Sequence, residues 1–450
     1  MPARLTDVFL VPHRDGAVLH APLHGVTALV NATAAAELRR FLDGGSSDGM
    51  SPRVRPLADA LLARTPAAPA VPTGPFAPHL LGLLPTNDCN MRCLYCAPGA
   101  GSHDVSVMAP EVADAALGYQ AEVVRREGFG SLSVYLFGGE PFVAWDLVQH
   151  CAATAERLSQ RLGKPAWFTC TTNAFLPPER ARWVARHLAF ALVSLDGPAD
   201  VHDRYRPSRG GGGTHAVVTR SLRIFEEEGL AYGLRCSVDA EVVARLPEIV
   251  EYYCTTFRPT RINLEPLVLH GRSLETGLAV PHPADFVNGV VAAARVARAH
   301  GVELKLTTAQ TERLAQSNCA VAEDNFVVAP DGLIASCYGA NHRGSEYAAD
   351  YALGEIDRAT LEVRVDQARV ERARSYAVAN IPRCRDCFCK YHCSGGCRLF
   401  HTAPFSTEPP GAMCLVTQRL TLWRILEQLT LHDAADRVRL DREELAGACA

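Results

Sequence analysis

The sequence lacks the long apolar run that a membrane-spanning segment needs. No stretch approaches about 18 consecutive apolar residues, and residues 1–19 have no continuous apolar core of the kind found in signal peptides. Charge of one sign is not concentrated either. The chain has 45 Lys and Arg against 49 Asp and Glu, with no basic cluster for a nucleic acid to bind. We therefore expect a cytoplasmic protein whose partner is neither a membrane nor a nucleic acid.

Cysteine, in contrast, is abundant, with 16 among 450 residues. Since no export signal precedes them, disulfide bonds are not expected and metal ligation is the better explanation. With 48% hydrophobic and 21% charged residues, the composition is that of an ordinary globular protein. The length suits two or three domains, each with its own core.

Three cysteines, Cys89, Cys93 and Cys96, form a C-x3-C-x2-C run directly after the apolar segment 79–84. Thiolates select iron–sulfur clusters, zinc or Cu(I) over hard cations. Three ligands are one fewer than the four that close a structural zinc site or an iron–sulfur cluster, so one metal position is left for a substrate or cosubstrate. The alternatives are a zinc knuckle and three unconnected buried cysteines.

From residue 79 onward, apolar β-like runs alternate with amphipathic helical runs, which predicts a parallel sheet with crossover helices. The predicted strands are 79–84, 132–137, 166–171, 190–194, 232–238 and 262–267. The predicted helices include 110–127, 147–162, 215–230, 246–257 and 283–300. In barrels of this kind the functional loops follow the carboxyl ends of the strands.

A glycine-rich turn, Gly138-Gly139-Glu140-Pro141, follows the second predicted strand. Glycines let a backbone approach a ligand closely, and a carboxylate suits an ammonium group. With the cysteine run, and Tyr95 before its last cysteine, this turn resembles the radical S-adenosylmethionine (radical SAM) enzymes. The resemblance implies an α/β fold with a partial (β/α)6 barrel over residues 79–305.

The same resemblance implies a [4Fe-4S] cluster on Cys89, Cys93 and Cys96, whose open iron binds SAM. SAM is then cleaved to a 5′-deoxyadenosyl radical, which abstracts a hydrogen atom. By this resemblance the SAM contacts come from Tyr95, Gly138, Gly139, Glu140 and Pro141.

The ends of later strands agree with the resemblance. Ser194-Leu195-Asp196-Gly197 continues into His202-Asp203 and Arg206, a pattern similar to the branch that modifies peptides and proteins. This similarity implies that Ser194 binds the SAM ribose or carboxylate, with Asp196 nearby; a simple strand-terminating turn is the alternative for Asp196-Gly197. Glu265, at the end of the sixth strand, either points into the barrel mouth or caps a loop.

Seven further cysteines have a specific spacing, C-x12-G-x4-C, then C-x2-C-x5-C-x3-C, then a last C. A β-turn at 330–332 predicts a hairpin of strands 326–328 and 333–336. The spacing resembles the SPASM domain, here residues 310–420, which carries two auxiliary [4Fe-4S] clusters and gives three clusters in all. A zinc ribbon is the alternative for residues 384–397.

The resemblance implies a ligand set for each auxiliary cluster. The set of the distal cluster is Cys384, Cys387, Cys393 and Cys414. The set of the cluster nearer the barrel is Cys319, Cys337 and Cys397. The second set lacks a fourth thiol in the region of residues 312–314, so either one iron is open or Cys389 fills the place; we favour the open iron.

The first 75 residues read as a small β-then-α module. Strands are predicted at 8–11 and 16–19 and helices at 33–42 and 52–64, before a Pro- and Ala-rich linker at 65–78. The order and size resemble the winged-helix-like elements that bind leader peptides. A plain extension packing on the catalytic domain is the alternative. Residues 421–450 are expected to form a C-terminal helix and tail.

We interpret the chain as a radical SAM oxidoreductase that matures a ribosomally made (RiPP) precursor peptide. The residues around Cys337 and the segment 387–393 look like those of maturases that join an aromatic carbon to a side-chain carbon, forming a cyclophane. An external one-electron donor such as flavodoxin or ferredoxin is implied. No catalytic base is identified.

Three alternatives stay open. The first is a sulfatase-maturing, formylglycine-forming enzyme; such enzymes carry an Asp after the hairpin cysteine, where this chain has Tyr338. The second is a thioether-forming peptide maturase. The third is a non-catalytic iron–sulfur scaffold, against which the intact cysteine run and glycine-rich turn argue.

Overall fold

The computed structural model describes residues 5–101, 105–397 and 411–441. The tail expected at 442–450 and part of the expected SPASM region, 398–410, lie outside the described residues. Among the described residues, no helix has the length and apolar composition that crossing a bilayer requires.

The N-terminal module is a three-stranded antiparallel sheet followed by two helices. Its elements are β1 (Phe9–His13), β2 (Gly16–Ala21), β3 (Val26–Asn31), α1 (Ala32–Leu42) and α2 (Arg55–Leu62). Alternation places Leu19 and Ala21 of β2 against the module's own helices, whereas Val18 joins the core of the larger domain. Both predicted strands and both helices are confirmed; β3 was not predicted.

Six parallel strands lie side by side in chain order and form the partial barrel. They are β4 (Leu81–Leu83), β5 (Leu132–Leu136), β6 (Ala166–Thr172), β7 (Phe190–Ser194), β8 (Tyr232–Val238) and β9 (Arg261–Pro266). Helices connect them: α3 (Pro110–Glu127), α4 (Trp145–Leu162), α5 (Pro178–His187), α6 (Ala199–Tyr205), α7 (His215–Glu228) and α8 (Leu246–Thr256). The α/β fold and all six strands are confirmed. Because the strands are parallel, their carboxyl ends meet at one edge.

The sheet does not stop at the barrel. After α9 (Pro283–Ala299), the short β10 (Glu303–Lys305) pairs with β9. At the opposite edge, β11 (Phe326–Val328) pairs in parallel with β4 and forms the predicted hairpin with β12 (Leu333–Ala335). Two further antiparallel strands, β13 (Ala352–Ile356) and β14 (Val363–Val365), complete eleven strands. The C-terminal cysteine region is therefore joined to the barrel by backbone hydrogen bonds.

The remaining helices close the C-terminal region. They are α10 (Ala348–Tyr351), α11 (Gln367–Arg374), α12 (Lys390–Cys393), α13 (Ala412–Gln428) and α14 (His432–Ala435). Arg298 of α9 binds Glu427 of α13 and Asp436, with nitrogen–oxygen distances of 2.5 and 2.9 Å.

A buried ion pair fastens the linker to the C-terminal region. Asp324 accepts hydrogen bonds from both Nε and Nη2 of Arg374 at 2.8 and 2.7 Å, and from the Ala77 backbone N–H at 3.0 Å. Arg374 also donates to the Gly74 carbonyl oxygen at 2.7 Å. The two side chains are 1% and 3% exposed, so removing Asp324 leaves the buried Arg374 guanidinium with only Glu371, a carboxylate 2.6 Å from its Nη1 that is 55% exposed.

We predict that Asp324→Ala destabilises the protein by about 3–5 kcal/mol, because Arg374 loses its buried counter-ion and retains only the exposed Glu371. Asp350→Ala is the matched control: it breaks an ion pair with Arg372 in which both side chains are more than half exposed, and should cost about 0–1 kcal/mol. Guanidinium unfolding midpoints of both variants measure the difference. Equal midpoints would contradict the prediction.

Candidate active site

A cavity of about 350 Å³ opens at the carboxyl ends of the barrel strands. One wall carries the cysteine loop, the glycine-rich turn and the ends of β6 and β7; its residues include Cys89, Cys93, Tyr95, Cys96, Gly138, Gly139, Glu140, Asn173 and Ser194. A second wall comes from β8, β9 and the segments after β9 and β12; its residues include Arg235, Ser237, Glu265, His270, Tyr338 and Tyr347. The structure thus brings most of the predicted SAM contacts to one cavity. Two predicted contacts, Pro141 and Asp196, are buried and are not among the lining residues.

The glycine-rich turn holds the cysteine loop. The N–H of Gly139 donates to the Thr86 carbonyl at 3.0 Å, and that of Glu140 to the Asp88 carbonyl at 2.8 Å. A Cβ on Gly139 would lie 2.0 Å from the Asp88 oxygen, and one on Gly138 2.5 Å from the Thr86 oxygen. The close approach that needs glycine is therefore an approach to the backbone before Cys89.

A second segment holds the cysteine loop from its other side. Residues 205–209 accept hydrogen bonds from the loop: Leu94 N–H binds the Tyr205 carbonyl at 2.9 Å, and Arg92 N–H binds the Pro207 carbonyl at 2.8 Å. In the other direction, Arg209 donates to the Cys89 carbonyl at 2.6 Å. The motif after β7 thus shapes the cysteine loop directly.

The loop after β9 completes the support. Arg272 donates to the carbonyl oxygens of Cys93 and Ala100, both at 2.8 Å. Its backbone N–H binds the Cys96 carbonyl at 3.1 Å. These contacts leave the three thiols of the loop facing the cavity.

The thiols of Cys89 and Cys93 are buried, and the two cations near Cys93, Arg206 and Arg272, do not offset its burial. Burial raises the pKa of Cys89 to about 12, with Glu140 adding to the effect, and burial raises the pKa of Cys93 to about 11. Such thiols ionise only when a metal supplies positive charge. No three His, Cys, Asp or Glu side chains in the described part of the chain converge on a single-ion site. The cysteines that bind a [4Fe-4S] cluster each bind a different iron. Their sulfur atoms therefore lie farther apart than the sulfur atoms that bind a single zinc ion.

Glu140 ties the turn to the end of β6. Its carboxylate accepts from the Thr172 hydroxyl at 2.8 Å, the Asn173 N–H at 2.7 Å and the Phe142 N–H at 3.3 Å. Burial raises the pKa of Glu140 to about 7, against the effect of these hydrogen bonds. The Asn173 amide donates to the Cys89 sulfur at 3.6 Å. Asn173 was not predicted as a site residue; its place after a barrel strand was the signal.

Tyr95, Asp196 and Arg206 form a buried group beside Cys93. The Tyr95 hydroxyl donates to Asp196, and the Arg206 guanidinium donates to the Tyr95 oxygen at 2.5 Å. Asp196 also accepts from the Ser237 N–H at 3.1 Å, so it links two strand ends and does more than end a turn. Burial raises its pKa, while Arg206 counteracts the shift. Arg206 was the last residue of the recognised motif but was not predicted as a site residue.

The second wall carries two charged side chains, Glu265 and Arg235. Glu265 accepts from the Thr307 hydroxyl, and burial raises its pKa. Arg235 lines the same cavity, and its positive charge counteracts the rise in the pKa of Glu265. Glu265 therefore points into the barrel mouth, as one of the two sequence hypotheses held.

The C-terminal thiols gather in the two predicted sets. Burial raises the pKa of Cys337 to about 12, and the thiolates of Cys319 and Cys397 add to the rise. Burial also raises the pKa of Cys393, helped by Cys384, Cys387 and Cys414. Because the thiols of each set raise the pKa of a member of that set, the members of each set lie close together. Their role as cluster ligands stays a prediction.

Cys389 lies with the distal set. It is buried and forms a hydrogen bond with Cys387, which lowers the pKa of Cys387 to about 7. Its position does not favour the alternative in which it completes the set of Cys319, Cys337 and Cys397.

Residues 83–238 match the radical SAM superfamily. They span the cysteine loop, the glycine-rich turn and strands β5 to β8. The chain contains a radical SAM domain. The three cavity thiols, one ligand short of a closed set, fit the SAM-binding [4Fe-4S] cluster that such a domain uses.

Individual proteins are more distant. The chain is 24% identical over 344 residues to a serine-type anaerobic sulfatase-maturating enzyme of Klebsiella aerogenes, spanning 73% of this chain and 81% of that protein. It is 26% identical over 176 residues to the Fe-coproporphyrin III synthase of Methanosarcina barkeri, 37% of this chain and 38% of that protein. The solved structure of native anSMEcpe with bound AdoMet superimposes with a TM-score of 0.59 at 16% identity, covering 79% of this chain and 98% of that one. The last comparison bears on the fold alone.

We predict that Gly139→Ala abolishes loading of the SAM-binding cluster, because the new methyl group displaces Asp88 and with it Cys89. Gly118→Ala is the matched control, since a Cβ at this position in α3 meets nothing within 4 Å and alanine favours a helix by about 1 kcal/mol. Iron content and reductive formation of 5′-deoxyadenosine measure the effect. Normal 5′-deoxyadenosine formation by Gly139→Ala would contradict the conclusion that the glycine-rich turn holds the cysteine loop.

Proposed function

We propose that the chain is a radical SAM peptide maturase that oxidatively cross-links side chains of a ribosomally made precursor peptide. One observation carries the proposal. The cavity that holds the three loop thiols is also lined by Tyr338, the neighbour of Cys337 in an auxiliary thiol set. A substrate in this cavity would lie between a radical-generating end and an electron-accepting end.

The residues of the first wall bind and orient the cofactors. Cys89, Cys93 and Cys96 would hold the cluster, and the backbone of the glycine-rich turn, with Ser194, would face SAM. When bound, SAM and its cluster supply a 5′-deoxyadenosyl radical for hydrogen abstraction. Glu140 has three hydrogen bonds to protein groups, so it orients Asn173 and the turn first.

Forming one cross-link removes two hydrogens from the peptide. One leaves as a hydrogen atom, and the other leaves as a proton and an electron. The thiols of Cys319, Cys337 and Cys397 would hold a cluster that accepts this electron, and the distal set would pass it onward. A separate donor such as flavodoxin or ferredoxin would reduce the SAM-binding cluster.

The second wall is the candidate contact with the peptide. Arg235 offers guanidinium donors, and Glu265 offers an acceptor. Tyr338 is held edge-on against Tyr135 and Phe137, with ring centroids 5.6 and 5.2 Å away. This aromatic surface supports the cyclophane hypothesis, in which the peptide contributes an aromatic residue.

The domain limits are part of the proposal: residues 1–75 as a leader-peptide module, 79–305 as the barrel, 310–420 as the auxiliary-cluster domain and 421–450 as a C-terminal helix and tail. The outer edge of β3 pairs with no other described strand and has Leu29 41% exposed. An extended leader peptide could add to such an edge.

A sulfatase-maturating activity is the second candidate. It is favoured by the similarity to the Klebsiella aerogenes enzyme, which spans 81% of that protein. The residue after the hairpin cysteine argues the other way, because Tyr338 replaces the acid expected there. Both candidates use the same radical chemistry and differ in the residue that is oxidised.

Coexpression with short open reading frames encoded nearby tests the two candidates. Cross-linking lowers the precursor mass by about 2 Da per link, and formylglycine formation converts a Cys or Ser of a sulfatase peptide to an aldehyde. Glu265→Gln should reduce product formation while 5′-deoxyadenosine still forms without peptide, because Glu265 lies in the second wall. An unchanged precursor mass together with an oxidised sulfatase peptide would reject cross-linking.

A further inference from the structure

The N-terminal module contacts the C-terminal region at the loop that carries the distal thiols. His20 of β2 places its Nε2 2.9 Å from Nε2 of His392. Both side chains are buried, so one ring donates and the other accepts in complementary tautomers. The ring of His20 also packs edge-on against Phe388, with centroids 6.5 Å apart.

Two more contacts reach the same helical turn. Asp7 forms an ion pair with Lys390, in which the two side chains are 11% and 13% exposed. Leu23 packs on the cluster formed by Val378, Ile381 and Tyr391. Asp7 also forms a hydrogen bond with Tyr391, so the module contacts all three residues of α12 that precede Cys393.

These contacts fall within the distal thiol set. Phe388 lies between Cys387 and Cys389, and α12 ends at Cys393. Groups that fix the orientation of metal ligands from outside the ligand set are known to tune affinity and redox potential. A four-residue helix has too few internal hydrogen bonds to hold its own direction, so its neighbours must do so.

We infer that His20 and Asp7 are positioning residues for the distal auxiliary cluster, acting through His392 and Lys390. The inference rests on the proposed function, because it takes the distal thiols as cluster ligands. It gives the N-terminal module a role besides any leader binding: the module is one wall of the cluster's surroundings. Binding of a leader peptide to the module and the iron affinity of the distal cluster are then linked.

The test uses full-length protein in which Cys89, Cys93 and Cys96 are replaced by Ala, so that auxiliary iron is seen alone. In this background His20→Phe keeps a buried ring but removes the hydrogen bond. We expect iron to be lost to a chelator several-fold faster than from the parent, with a changed electron paramagnetic resonance spectrum after reduction. Asp7→Asn should act in the same direction without touching β2, and His20→Gln, which keeps a side-chain donor, should restore the parent spectrum.

His24→Phe is the matched control. His24 is a buried histidine of the same module whose ring nitrogens bond to the Leu61 and Thr6 carbonyls. This variant should lower the thermal midpoint of the module and leave the spectrum and the iron loss unchanged. A parent-like spectrum and iron loss in both His20→Phe and Asp7→Asn, or the same change in His24→Phe, would overturn the inference.

The proposed function fails differently. If the protein with Cys89, Cys93 and Cys96 replaced by Ala retained no iron at all, the auxiliary clusters would be rejected, and the inference with them. Retained iron that is insensitive to His20→Phe and Asp7→Asn would reject the inference alone. With an intact Cys89 loop, His20→Phe should still form 5′-deoxyadenosine at the wild-type rate, because its contacts lie in the distal set.

Discussion

The site depends on a loop that cannot hold its own shape. Residues 85–101 contain no regular helix or strand, yet they present three thiols to one cavity. Their backbone is fixed from three sides, by the glycine-rich turn after β5, by the segment after α6 and by the loop after β9. The contacts use backbone carbonyl and N–H groups of the cysteine loop, which would otherwise be buried without partners. The positions of the three thiols are thus set by the segments around the loop.

The second constraint is the pairing of β11 with β4. Through this pairing a hairpin more than 200 residues away in the sequence joins the barrel sheet. Tyr338 then enters the barrel beside β4, where a Cβ on Gly82 would lie 2.7 Å from its hydroxyl oxygen. A glycine in a short, fully buried strand is otherwise a loss of packing. Gly82 therefore lies where Tyr338, from the segment after β12, packs against the barrel.

The N-terminal sheet shows how a small module becomes part of a larger one. One face of β2 packs on the module's own helices, and the other carries Val18 and His20 toward the rest of the protein. The outer edge of β3 remains available for an added strand, whereas both faces of β2 already pack against other parts of the protein. Substrate recognition and cluster environment therefore meet on one three-stranded sheet in the proposed function.

The sequence alone determined the six barrel strands, the glycine-rich turn and the cysteine spacings, because alternation, turn chemistry and ligand spacing are local patterns. It also determined the chemistry of the thiols, since ligand type follows from residue type. Tertiary structure alone decided that Arg206 lies on Tyr95, that Asn173 donates to Cys89, that Cys389 belongs with the distal thiols and that Arg235 and Glu265 line one cavity with the loop thiols. It also decided that Gly138 and Gly139 approach a neighbouring loop. These relations join distant segments, and no local pattern encodes which strand ends and hairpins come together.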